Sequence, residues 1–148
     1  MRSLIVFVAL AVAVQSVDQE LVNEFTEKIT EIGMKCAQET NANNEDIAAL
    51  VGHQIPQSKE GKCMISCVYK AFKLQNEDGS LNPNGISDWM ERLEKSDEDM
   101  YGKLKQVIDE CLKPENVLPD HCDTSVKVSS CASETAKKVG LGTAVMNL

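Results

Sequence analysis

The sequence is short of basic charge and of histidine, and each scarcity removes a class of function. Fifteen Lys and Arg stand against 23 Asp and Glu, a net charge of −8, with the two signs interspersed along the chain. Binding phosphates takes clustered basic side chains, so no nucleic-acid partner is expected. Only His53 and His121 could serve as imidazole bases, no Gly-x-Ser-x-Gly occurs, and the cysteines read as oxidised. The nucleophile and base pairings of an enzyme are therefore missing, and neither catalytic residues nor a cofactor is expected. Strand-like alternation nowhere lasts, and all four prolines fall between helical stretches. What is present is globular: 43% hydrophobic and 26% charged residues in 148 suit one folded domain, not a disordered chain.

One long apolar run exists, Leu4 to Val14 behind Arg2, eleven positions without a charge. That is signal-peptide length and too short to span a bilayer. Small Val14 and Ser16 place the expected cleavage after Ser16. Residues 1–16 are thus read as a signal peptide and 17–148 as the mature domain, secreted to the extracellular space without a membrane span.

The mature chain keeps Cys36, Cys63, Cys67, Cys111, Cys122 and Cys131. An even count in an oxidising compartment predicts three disulfides. A structural zinc site wants two close cysteine pairs or histidines at ligand spacing, and here only Cys63 and Cys67 are close, so no metal is expected. Fifteen pairings are open to six positions.

Leu21, Phe25, Ile29, Ile32 and Cys36 recur at helical steps, which predicts a first helix ending near Asn41 to Asn44. Asn44 or a neighbour should cap a short second helix carrying Ile47, Leu50 and Val51, with Pro56 as its stop. Ser58 should open a third helix through Cys63 and Cys67 to about Leu74, before the Asp78-Gly79 break. Ile86, Trp89, Met90 and Leu93 mark a fourth over Ser87 to Leu93. Ser96 followed by Asp99 reads as a capping box for a fifth, with Met100, Leu104, Val107, Ile108 and Cys111 on one face. Pro114 and Pro119 bracket the next loop, and Asp120 should cap a sixth helix to about Val139. The fold class is all-α. Cys63 and Cys67 share a face of the third helix. Cys122 and Cys131, nine apart, lie on opposite faces of the sixth, which must therefore be tied to two different neighbours.

Three features have plain structural readings. The stretch Ser80 to Glu91 puts Gly85 and Glu91 where a calcium loop would, but it starts on serine, is interrupted by Pro83 and carries too little charge, so it reads as a turn and a cap. His53 at a helix end and His121 at a helix start read as local structural residues, and the acidic surface as solvated helix faces.

The spacing Cys36-x26-Cys63-x3-Cys67-x43-Cys111-x10-Cys122-x8-Cys131, with Val68-Tyr69-Lys70-Ala71-Phe72-Lys73-Leu74 after Cys67 and Asp78-Gly79 beyond, resembles the six-cysteine insect odorant-binding protein family. The resemblance covers nearly the whole mature chain. It implies a compact six-helix domain bridged Cys36 to Cys67, Cys63 to Cys122 and Cys111 to Cys131, enclosing an apolar cavity. It further implies a small hydrophobic molecule as partner, an odorant receptor as a further one, and a monomer or weak homodimer.

Helical geometry nominates the lining of such a cavity: Met64, Val68 and Phe72 on the third helix, Trp89 and Leu93 on the fourth, Leu104, Val107 and Ile108 on the fifth. Gly140 and Gly142 should end the sixth helix, and the resemblance implies that the uncharged tail beyond folds back as a lid through Val145, Met146 and Leu148. The function expected is a secreted carrier of an odorant or pheromone-like molecule. Its rivals are a secreted structural or interaction protein with a filled core and a scavenger of apolar molecules outside chemosensation.

Overall fold

A computed structural model describes residues 19–141. The segment read as a signal peptide and the tail residues Val145, Met146 and Leu148 lie outside the described residues. Between them run α1 (Gln19–Thr40), α2 (Asn44–Val51), α3 (Lys59–Ala71), α4 (Ser87–Ser96), α5 (Glu98–Cys111), a 3-10 turn (Pro114–Asn116) and α6 (His121–Lys138). Among the described residues the only extended pairing is an isolated bridge between Gln75 and Leu81. The all-α expectation is borne out.

Short polar side chains start these helices by accepting backbone N–H groups that have no partner inside the helix. Asn43 accepts from Glu45 and Asp46, while Asp46 accepts from the Asn43 N–H, a reciprocal capping box. Ser58 caps α3 through the Gly61 N–H, and Asp120 caps α6 through Cys122 and Asp123. The cap of α5 corrects the sequence reading. Asp97, not Ser96, accepts the Met100 N–H, because α4 continues through Ser96 and leaves one extended residue, Asp97 at φ −151°, between the two helices.

Helix ends supply a second correction. Pro56 does not stop α2, which finishes at Val51, where Gln54 N–H reaches back to Ala49 O and His53 N–H to Leu50 O. This is a Schellman motif with His53 at φ 56° in the left-handed position usually filled by glycine. The same pair of bonds closes α1 with Asn41 at φ 58°, α3 with Lys73 at φ 58° and α6 with Gly140 at φ 81°. The ends at Asn41 and Gly140 were foreseen, since asparagine and glycine are the residues that adopt this conformation most readily, whereas histidine and lysine carry no signature for it.

The central element is α3, which packs against both α1 and α6, while α6 packs on α5 and α5 on α4. Disulfides follow the same contacts: Cys36 to Cys67 joins α1 to α3, Cys63 to Cys122 joins α3 to α6, and Cys111 to Cys131 joins α5 to α6. The sixth helix is thus tied to two neighbours on its two faces, as the nine-residue cysteine spacing requires. A buried polar side chain holds the turn after α3. Gln75 accepts from Ser66 at 2.6 Å and donates to the Gly79 and His121 carbonyls at 3.3 and 3.1 Å. Gly79, at φ 85°, has no room for a Cβ because the His121 ring lies over it, which gives His121 a packing role.

Three apolar clusters fill the interior. One gathers Leu21, Met90 and Leu93 with Trp89, Met100, Leu104 and Ile108 against them. A second holds Cys36, Ala37 and Met64 with Ile47, Leu50 and Val68. The third surrounds Cys111, Leu112 and Val128 and includes Tyr69, whose hydroxyl pairs with Ser129 at 2.8 Å. Val51, expected on the apolar side of α2, is instead exposed, since the helix presents Ile47 and Leu50 to the core.

Candidate ligand-binding cleft

Three aromatic residues from different helices meet where α1, the end of α3 and the start of α4 converge. Phe25 enters from α1, and its ring centroid lies 4.9 Å from that of Trp89 and 5.7 Å from that of Phe72, both tilted by 37°. Tilted ring pairs at these separations are favourable beyond the area they bury. Phe72 is placed by the C-cap of α3, where its N–H still bonds to Val68 O before Lys73 turns the chain. Gly85 lets the following loop press against that turn, since a Cβ there would strike the Lys73 carbonyl.

These rings, with Ile86 and Ala71, line a cleft of about 270 Å³. That is slightly under the ~300 Å³ at which typical small-molecule pockets begin, a size for one small compound. Its rim is charged. Arg92 donates to Glu24 twice, at 3.0 and 2.7 Å, which links α4 to α1, and Lys28, Lys73 and Asp88 complete the edge. The hydrogen bond from Arg92 holds the Glu24 carboxyl below its usual range.

Among the described residues, Trp89 carries the one buried side-chain polar atom without a partner, its Nε1–H. The buried polar side chains Asp46, Ser66, Gln75, Thr124 and Ser125 all have partners. Leaving a donor desolvated and unpaired costs about 1–3 kcal/mol.

Of the cavity residues nominated from the sequence, Phe72 and Trp89 line this cleft. Leu93, fully buried, and Leu104 and Ile108 pack in the cluster behind Trp89. Met64 and Val68 belong to the separate α1 and α3 cluster, and Val107 is buried on α5. Phe25 was read only as a core-facing residue of α1. Its step of four from Leu21 located its face, and no local signal marked it as a partner of residues 72 and 89.

A second cleft, of about 550 Å³, opens between α1, α3 and the start of α6. Ion pairs of Lys35 with Glu39 and Lys70 with Glu77 lie along it. Both clefts carry charged residues at their edges, but only the smaller one brings aromatic rings together, which makes it the better host for an apolar molecule. Cys36, Glu39 and Cys67 come together in this second cleft in metal-ligand fashion, but the two sulfurs are joined to each other and offer no thiolate. No helix among the described residues is long and apolar enough to cross a membrane.

Residues 18–135 match the family model described as the PBP/GOBP family. The chain is 31% identical over 111 residues, covering 75% of it and 73% of the relative, to general odorant-binding protein 19d of Drosophila melanogaster. Among solved structures it is similar to odorant-binding protein 28a of the same fly, with a TM-score of 0.67 and 25% identity over 80% of this chain and 97% of that one. Odorant binding protein 4 of Chrysopa pallens, at 15% identity and a TM-score of 0.62 over 84% of this chain and 96% of that one, shares the fold.

Proposed function

This chain belongs to the PBP/GOBP family, and on that premise we propose that it is a carrier which holds a small hydrophobic odorant or pheromone-like molecule and moves it through aqueous fluid. The observation that carries the proposal is the meeting of Phe25, Phe72 and Trp89 around one cleft on a disulfide-tied frame. Burying each ligand methylene contributes about 0.8 kcal/mol before association costs, so micromolar binding needs no covalent step. In this reading Phe72 and Trp89 touch the ligand, with Phe25 added to them, and Leu93, Leu104 and Ile108 back the wall. The role involves no catalysis. Residues 1–16 serve as a signal peptide, and the mature carrier acts outside the cell.

The rival reading, a secreted structural or interaction protein with a filled core, draws on the burial of Met64, Leu93 and Val107 within packed helices. One experiment separates the two. Oxidised protein is titrated with the fluorescent apolar probe N-phenyl-1-naphthylamine, which is then displaced with volatile alcohols, esters and aldehydes. Uptake and displacement at micromolar concentrations support the carrier, and no uptake overturns it.

A further inference from the structure

The orphaned donor of Trp89 defines a ligand class. We infer that the cleft selects neutral apolar molecules bearing one hydrogen-bond acceptor, such as a ketone, aldehyde or ester oxygen, and that Trp89 Nε1–H donates to that atom. The inference rests on the carrier reading and deepens it.

Indole nitrogen donates and cannot accept, so the missing partner must offer a lone pair. An alkane leaves the donor unpaired, and an ammonium group adds a second donor to it. Trp89 belongs to the wall of the aromatic cleft, where Phe25 at 4.9 Å and Ile86 leave a carbon skeleton an apolar surface to lie on. The charged rim does not call for an ionic head group. Glu24 and Arg92 bond to each other, and the remaining Lys28, Lys73 and Asp88 are of mixed sign.

Nε1 is closed off from water in this structure. Reaching it takes a small shift of the ring or of the side chains that cover it. The unmade hydrogen bond favours that shift only when an acceptor arrives, so the same group that costs stability without ligand supplies selectivity with it. A hydrocarbon of the same shape gains the apolar contacts and nothing else.

Trp89 is the single tryptophan of the chain, so indole signals report on this site alone. Acetophenone and α-methylstyrene make a matched pair, identical in outline with a C=O replaced by C=CH2. In wild-type protein carrying 15N-indole, acetophenone should move the Nε1–H resonance downfield and α-methylstyrene should leave it near its free position. In Trp89→Phe the affinity ratio of ketone to hydrocarbon should fall about tenfold, equivalent to about 1.4 kcal/mol. An unmoved Nε1–H resonance in protein saturated with ketone overturns the inference and leaves the carrier reading standing, as does an unchanged ratio in Trp89→Phe. Failure of wild-type protein to bind either compound or N-phenyl-1-naphthylamine overturns both. The resonance measurement needs no variant, so a misfolded Trp89→Phe protein does not block the test.

Discussion

Asp46 on α2 accepts the Ser58 hydroxyl at 2.6 Å, and that single bond joins the caps of two consecutive helices. The other oxygen of Asp46 accepts the Asn43 N–H that opens α2, while Ser58 accepts the Gly61 N–H that opens α3. Asp46 is 4% exposed, so either partner lost leaves a polar atom desolvated. Ser58→Ala is expected to cost about 1–3 kcal/mol in urea unfolding. Adding Asp46→Ala to it should cost less than the sum of the two single losses, because the bond is removed only once. Full additivity would show the two caps to be independent.

Gly61 tests the same junction from the other side. A Cβ there would come within 2.6 Å of Asp46 Oδ1 and would also strike Pro56. Gly61→Ala should therefore lower the melting temperature, even though alanine is the better helix former. A rise in melting temperature would mean that α2 can move away freely.

The three disulfides tie α3 to α1 and α6, and α6 to α5. Replacing Cys63 and Cys122 together by serine releases a bridge spanning 59 positions and should cost about 2–5 kcal/mol. Peptide mapping without reductant should return Cys36 with Cys67, Cys63 with Cys122 and Cys111 with Cys131. Any other dominant pairing contradicts the structure.

Two backbone positions beside the cleft should respond in opposite directions. Lys73 holds a left-handed conformation at φ 58°, so Lys73→Gly relieves strain and should raise stability by up to about 1 kcal/mol. Gly85→Ala drives a methyl into the Lys73 carbonyl and should displace the loop that lines the cleft. Probe uptake should fall in that variant while far-ultraviolet dichroism stays near wild type. Unchanged uptake would separate the loop from the site.

Asp120 should make part of the stability sensitive to acid. The backbone N–H groups of Asp123 and Cys122 hold its carboxyl below the ordinary carboxylate value. A depressed folded-state pKa contributes stability that is complete above the unfolded value of about 3.9 and is lost as pH falls through the folded value. The stability difference between wild type and Asp120→Asn should therefore shrink as pH is lowered from about 5 to 2. A difference independent of pH over that window would show that the cap works equally well without its charge.

Much of this architecture was legible because it is local. Apolar steps of three and four located the helices, the caps Ser58 and Asp120 were readable as short polar residues ahead of apolar runs, and the cysteine spacing carried the family resemblance that the comparisons bear out. Local signals misled where two answers lay one residue apart. Ser96 and Asp97 are both good caps, and only the length of α4, set by its packing on α5, decides between them. His53 and Lys73 end their helices in a conformation that their own chemistry disfavours, so nothing in either side chain announced it.

The cleft belongs to the tertiary structure. Phe25, Phe72 and Trp89 each lie on a helical face that the chain itself predicts to be apolar, yet periodicity within one helix says nothing about which face of another it will meet. Their meeting depends on how α1 and α4 lie against the end of α3, where the Cys36 to Cys67 bridge ties α1 to α3, Gly85 allows the loop before α4 to approach the end of α3, and the Glu24 and Arg92 ion pair links α1 to α4 at the surface. Sequence by itself determined the helices, the oxidised framework and the family. Which apolar residues would fill the core and which would line a cleft was decided only when those helices packed, because burial is a property of the whole assembly and not of any one segment.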